Sequence, residues 1–444
     1  MRALLLQFFL LGLVPASLFA PYIGIYGYYW YSYMGPNSQV FGMPALDYGK
    51  FIAVATLLGW LFSRGSKRIP FNAVTALVIV LYLWTCLTTL TARYSDIAMN
   101  DLQDWSKIVL MVLVTMSLVN SKQRVMALIW TLVISISYYG VKGGLFTLTS
   151  GGGAEVTGPA KTQIYNTNEV ARAFLMTIPL SFYLVYYARH KWVRLGMLLS
   201  TLLMILGLVG TGSRTALLAF GASCFVLWLF SRRKLTYFIA AAVFGVGLLF
   251  VLSDARLNAI VDRYSTVSEY ETDSSFGTRL EIWDCIFGNI AARAPVLGMG
   301  FRATENVCHR APHSNYFEVL AEHGFIGLFI YGLLGLNALV FCLRLIRMGR
   351  TSTEHYWARD LGVMLLCSLV GYFVGGVTKN HAFFELYYVQ LAILATTFAI
   401  VSKDVAQRRE AERRQRTLNI TGNYSTAGSA YQPPGNDVSP TPRA

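Results

Sequence analysis

Apolar runs of about 17–25 residues recur along most of the chain, each long enough to cross a hydrocarbon layer of ~30 Å as a helix. Backbone in lipid has no water to bond to. Segments of this kind must satisfy their hydrogen bonds internally, and helices do so. Of the 444 residues, 55% are hydrophobic and 14% are charged, whereas soluble domains carry roughly 25% charge. The sequence predicts an all-α integral membrane protein and excludes a string of soluble domains.

The net charge of +14 does not point to nucleic acid, because the cations sit in short loops and near the C-terminal end. KDVAQRREAERRQR (403–416) follows the last apolar run. The loops RLIRMGR (344–350), SRRK (231–234), RHKWVR (189–194), SKQR (121–124) and SRGSKR (63–68) are basic as well. Basic loops stay in the cytoplasm. The intervening spans are then 48–63, 70–90, 106–120, 125–149, 168–188, 195–210, 214–230, 235–252, 314–343, 357–377 and 382–401. Leu4 to Met34, interrupted at Pro15 and Pro21, reads as one long kinked span, with two short spans and an outer N-terminus as the alternative. It resembles a signal peptide, but Leu18 and Ala20 make a poor cleavage site and apolar chain follows, so it is expected to stay as an anchor. The expectation is about twelve transmembrane helices with both termini cytoplasmic. Residues 1–401 would form the membrane domain, and 402–444 a basic, largely disordered tail. The long outer loop, 253–312, contains TRLEIWDCIFGNIAA, whose apolar residues fall at helical spacing and predict an amphipathic helix lying on the membrane or on the bundle.

Charged groups on the outer side need a reason, since orientation rules should exclude cations there. In LGLVGTGSRTALLAF (206–220), Ser213 precedes a helix and Arg214 falls in its first turn. A cation opposes the helix dipole at that end, but an arginine together with free backbone N–H groups makes an anion site. Arg279 opens the amphipathic helix, and Arg293, Arg302 and Arg310 share its loop. Lys142 lies inside a span between Gly140 and the pair Gly143 and Gly144, which would allow a helix break facing a cavity. Lys161, Asn168, Glu169 and Arg172 lie where the next span begins, with Asn168 a candidate helix cap. His313 follows Pro312, with Ser314, Asn315 and Tyr316 as polar neighbours. Pro312 suits a first helical turn, and a neutral imidazole is a natural proton acceptor. Each residue also has a bland reading: lipid-facing cation, solvated loop charge, cap, or interfacial hydrogen bond.

Cys308, His309 and His313 lack a fourth ligand and are interrupted by Pro312. Glu269, Glu271 and Asp273 read as a solvated acidic loop before a magnesium or manganese site. Nucleotide-binding and serine-hydrolase motifs are missing from the sequence. Neither a metal nor a cofactor is called for. Cys285 and Cys308 share one polar loop, where pairing stays open.

The order of these features resembles the O-antigen ligase/polymerase superfamily of bacterial inner-membrane glycosyltransferases. TGSRTALLAF (211–220) resembles its Ser-Arg segment, and PHSNYFEVLAEHGFIGL (312–328) its His-Asn segment. YYGVKGGLFTL with GPAKTQIYNTNEVARAFLMTIPL is similar to the exosortase-associated O-glycosylation ligase branch, from which Asn-Thr-Asn (166–168) departs where Asp-Asn-Asn is usual. The resemblance implies a donor glycan on undecaprenyl pyrophosphate and a site facing the periplasm. Arg214, Arg279 and Lys142 would bind the pyrophosphate. His313 would act as general base, with Asn168, Asn315 and Tyr316 in support. Lipid A-core is the leading acceptor. A growing glycan or a protein hydroxyl are the alternatives, and a lipid-linked glycan flippase is the reading from another class. Against the flippase, the two halves of the chain show no repeat, and the charges gather at the outer face.

Overall fold

A computed structural model of the chain describes residues 1–444 except 45, 66, 152–154, 232–233, 237–238, 240–273, 351 and 429–444. The expected span 235–252, the first part of the long loop and the acidic group Glu269, Glu271 and Asp273 lie largely or wholly outside the described residues. Every regular element among the described residues is helical. Among the described residues eight helices are long and apolar enough to cross a membrane, and two shorter apolar ones, Tyr48–Phe62 and Arg214–Phe230, accompany them.

The N-terminal segment departs from the expected single span. Helix α1 (Arg2–Phe19) runs through Pro15, and the chain then turns back at Ala20 into α2 (Pro21–Met34). Ala20 has φ −134° and ψ 78°, away from the helical region that a residue before proline avoids. Pro21 suits the first turn of the new helix. The two helices pair in antiparallel fashion. Phe9 packs edge-on against Trp30 with ring centroids 5.4 Å apart, and Gly27 and Gly24 face Leu13 and Ser17. Leu10 joins a small core with Tyr48, Ile52 and Met43. Met1 therefore lies at the same end as Met34, opposite the basic segment after the last span. The reversal matches the two-span alternative, in which the N-terminus would lie on the outer side.

Helix α3 (Tyr48–Phe62) and α4 (Ala73–Leu90) follow, and then α5 (Ser95–Leu118), which starts about ten residues earlier than expected. Helix α6 (Lys122–Ser150) is continuous through Gly140, Gly143 and Gly144. These glycines do not break it. They let α8 (Lys191–Gly210) approach closely, as small residues do between membrane helices. A Cβ on Gly144 would stand 2.1 Å from the carbonyl oxygen of Leu203. Helix α7 (Thr167–Tyr187) is enclosed by its neighbours along most of its length. Helix α9 (Arg214–Phe230) is followed, beyond the undescribed stretch, by α10 (Ser274–Cys285), a π-helical turn (Ile286–Ala291) and the short α11 (Ala303–Cys308).

Helix α12 (Asn315–Met348) bends at Gly324, whose φ of +69° and ψ of −174° leave the helix. Segment 295–300 fills the break. Pro295 O accepts from Phe325 N at 2.8 Å, while Met299 N and Gly300 N donate to Ala321 O and Glu322 O at 3.0 and 2.9 Å. A Cβ at position 324 would meet Val296 O at 2.2 Å, so both the backbone angle and the space require glycine. Helix α13 (Tyr356–Gly375) and α14 (Glu385–Gly428) complete the chain. The basic segment continues α14, and most of the Pro/Gly/Ser-rich end expected to be disordered, 429–444, lies outside the described residues. Arg414 and Glu410 pair at 2.6 Å one turn apart, an arrangement that supports a helix out of the membrane.

The hairpin fixes a result. An impermeant thiol reagent should reach Arg2→Cys and Arg409→Cys from opposite faces of the membrane, in a background whose free cysteines are replaced by serine. Labelling of both from one face contradicts the reversal at Ala20.

Candidate active site

The chain enters α12 through Ala311-Pro312-His313-Ser314. His313 takes a left-handed backbone with φ +49°, and Ser314 is the extended residue before the helix. The histidine thus stands one residue outside the helix and half-buried, and Pro312 does not start the helical turn as expected. Asn315, Tyr316 and Glu318 occupy the first turn.

That turn holds the backbone of the loop between α13 and α14. Asn315 N donates to Gly376 O at 2.8 Å, and its Oδ1 accepts from His381 N at 2.8 Å. Glu318 Oε2 accepts from Ala382 N at 2.7 Å. From α7, the buried Arg172 donates Nη2 to Lys379 O at 3.1 Å and Nη1 to His381 O at 3.4 Å. Tyr372 donates to His381 O at 3.0 Å, and Tyr388 donates to Ala382 O at 3.1 Å. Five side chains from four helices therefore fix residues 379–382. Such a network is costly to leave half-made, so it specifies one conformation.

The loop places Lys379 near enough to His313 for its charge to act on the imidazole. Helix α10 brings a second cation there. Trp283 donates its indole N–H to Pro312 O at 3.3 Å and packs on Phe317 with ring centroids 4.7 Å apart. Ile282, Ile286 and Ile290 bury against Ala321 and Met299. The amphipathic segment thus lies on the bundle, through the apolar face seen in the sequence. Arg279, one turn before Trp283, falls on the same side of α10. The disulfide between Cys285 and Cys308 ties the end of α10 to α11, a few residues before His313. It settles the open pairing and removes the Cys308 thiolate from any metal set.

The charges register on the titrating groups. Burial lowers the His313 pKa below its usual 6.5, and the positive charges of Lys379 and Arg279 lower it further. Lys379 is itself brought down to about 8 by burial, then by Arg279 and Arg172. His381 is held down to about 3 by burial, with Arg172 and Arg302 adding to it. His313 is neutral at pH 7 and faces two cations.

Arg214 is half-buried in the first turn of α9. Its neighbour Thr215 meets Thr378 hydroxyl to hydroxyl at 2.7 Å, next to Lys379. Ser213 donates to Asn168 Oδ1 at 2.9 Å. Asn168 therefore joins α7 to α9. The residue capping α7 is Asn166, in a box with Glu169, whose Oε2 accepts from Asn166 N at 3.2 Å. Tyr316 donates to Phe373 O at 3.0 Å and braces α12 on α13. Lys142 does not join the group. Gly140, Gly143, Gly144 and Thr147 take the buried side of α6, which leaves Lys142 exposed, its ammonium 5.5 Å from the centre of the Tyr138 ring. Lys379, His381 and the anchoring role of Arg172 escaped the sequence reading.

Two cavities frame the bundle. One of about 530 Å³ opens beside this cluster, with Pro312 and His381 in its wall. Another of about 1300 Å³ lies among the basic loops at the opposite end, lined by Arg189, Arg194, Arg350 and Arg359.

Residues 199–332 match the model of a family described as O-antigen ligase, and residues 1–189 match that of a family of unknown function, DUF5935. The first match takes in Arg214, Arg279, His313, Asn315 and Tyr316. Lys142, Asn168 and Arg172 fall in the second, and Lys379 lies outside both. No curated protein matches the chain.

Removing one cation should show on the imidazole. In Lys379→Met, histidine-labelled NMR should place the His313 titration at higher pH than in the wild type, toward 6.5, because one cause of its lowering is gone. An unchanged titration contradicts the proximity of the two side chains.

Proposed function

We propose that this chain, a member of the O-antigen ligase superfamily by its domain over residues 199–332, transfers a polysaccharide from undecaprenyl pyrophosphate to a sugar hydroxyl of lipid A-core. The reaction takes place at the periplasmic face of the bacterial inner membrane. The observation that carries this reading is the placing of His313, half-buried at the entry to α12, where burial lowers its basicity and the charges of Lys379 and Arg279 lower it further. An uncharged base beside two converging cations suits a reaction that expels an anion and accepts a proton at one place.

The proposed step forms one bond and breaks one. The acceptor oxygen attacks the anomeric carbon, the bond from that carbon to the pyrophosphate oxygen breaks, and the electron pair leaves with undecaprenyl pyrophosphate. His313 takes the hydroxyl proton. Direct displacement inverts the anomeric centre. Arg279 and Lys379, with Arg214 at the neighbouring helix start, stabilise the charge that grows on the leaving group. Preorganised cations in a site shielded from water are effective at this. Lys379 here takes the part expected of Lys142. Asn315 and Asn168 act by holding the loop and the helix starts. The donor's own phosphate linkage supplies the driving force, so the reading calls for no nucleotide and no metal. Segment 274–308, clamped over the site, would limit hydrolysis of the donor.

The cations also tune the base. In the empty protein burial holds His313 weakly basic, and the cations add to it. A bound pyrophosphate offsets their field, and the pKa of His313 rises when the donor is in place. The acid limb of kcat, which reports the complex, should therefore lie at higher pH than that of kcat/KM, which reports the free enzyme.

The test uses the purified protein with undecaprenyl-pyrophosphate-linked glycan and rough lipopolysaccharide, with EDTA and without nucleotide. Ligation should appear as a gel shift of the lipopolysaccharide. His313→Ala should lower the rate ~10²–10⁴-fold, the usual contribution of a general base. Product formed only on a protein acceptor, or as polymerised donor, moves the activity to protein O-glycosylation or O-antigen polymerisation. No transfer to any acceptor contradicts the reading.

A further inference from the structure

The cavity of about 530 Å³ beside the cation cluster has the opposite charge. Asp101, Asp104, Glu169 and Glu305 carry that charge, and Glu318 and the buried Glu322 complete the lining from α12 without adding to it. Arg302 is the arginine in its wall, and it is already engaged by Asp101 at 2.6 Å and Glu305 at 2.9 Å. Asp104 has Lys107 one turn along α5, at 2.7 Å on the exposed surface. His381 adds no positive charge at neutral pH. Trp105, Phe301 and Phe383 pack together as an apolar floor, with ring centroids 4.9 and 5.2 Å apart. Thr304 also lines the cavity. It is 1% exposed, and its hydroxyl has no hydrogen-bond partner among the described residues. A buried hydroxyl left unbonded costs free energy, and a ligand's hydroxyl would satisfy it.

Carboxylates accept hydrogen bonds from sugar hydroxyls, and an apolar floor suits the C–H face of a pyranose. A phosphate has neither property and meets a repulsive field. Pro312 and Asn380 line the cavity, and their chain neighbours His313 and Lys379 belong to the cation cluster, so the two compartments adjoin. We infer that this acidic cavity receives the acceptor and selects a sugar that carries hydroxyls and no phosphate near the reacting end. The inference rests on the glycosyl-transfer reading. It assigns the two substrates to compartments of opposite sign, so the anionic donor end is kept out of the acceptor's place.

Binding, which needs no turnover, tests it. The full chain in nanodiscs is titrated with octyl β-glucoside and with octyl β-glucoside 6-phosphate, each below the concentration at which micelles form. The neutral glycoside should bind at least about tenfold tighter, the size of effect expected from like-charge exclusion. In Asp101→Asn/Glu305→Gln, which leaves Arg302 without its partners, the ratio should fall toward unity. Asp104→Asn, on the exposed rim, should narrow it without disturbing the fold. Equal affinity for the two glycosides, no binding of either, or tighter binding of an octyl-capped serine peptide overturns the inference. If the glycoside binds selectively but no donor is ever transferred, the cavity assignment stands and the ligase reading fails.

Discussion

The guanidinium of Arg172 donates to two backbone carbonyls, those of Lys379 and His381, and the site depends on that contact. A buried arginine is costly unless its charge is met, and the Glu318 carboxyl, which holds the same loop, is near enough to interact with it. Here its charge is spread over carbonyl dipoles and the face of Tyr372, whose centroid is 5.7 Å away. The return is a loop with one shape. Asn315 and Glu318 complete the clasp from α12. The first turn of one helix, the side of a second and the link between two more are thereby fixed against each other, and Lys379 is delivered to His313.

Around this clasp the structure separates two kinds of work. Short helices and loops from distant parts of the chain place charge at one end of the bundle. Long helices packed through small residues keep that end rigid. Helix α10 carries Arg279 onto the mouth of α12, held by Trp283, a run of isoleucines and a disulfide. The glycines of α6 serve the second task, since they bring α8 against it. The bend at Gly324 joins the two, because the opened backbone of α12 takes in segment 295–300 and fixes the base of the loop that carries Arg302.

Much of this was legible in the sequence, for physical reasons. Apolar runs announce spans because length and hydropathy are local properties. Arg279 and His313 stand out because cations and an imidazole on the outer side lack an orientational excuse. The amphipathic helix was found because its isoleucines keep helical spacing. What stayed hidden depends on contacts across the fold. Lys379 lies in GGVTKNHAFFE, which reads as an ordinary polar turn, and nothing local says that Arg172 will hold its carbonyl. The glycines beside Lys142 suit a helix break or a close helix contact equally, and only α8 decides. Pro21 suits a kink or a new helix, and the choice rests on whether Gly24 and Gly27 find partners in α1. Two cysteines 23 residues apart announce a bond only once α10 and α11 are seen to meet.

The most direct test is an electron cryomicroscopy structure of the chain in nanodiscs with undecaprenyl pyrophosphate added. The account predicts pyrophosphate density in contact with Arg279 and Lys379, with Arg214 nearby and the His313 ring facing the departing oxygen. Density instead among Arg189, Arg194, Arg350 and Arg359, in the cavity at the other end of the bundle, would contradict it.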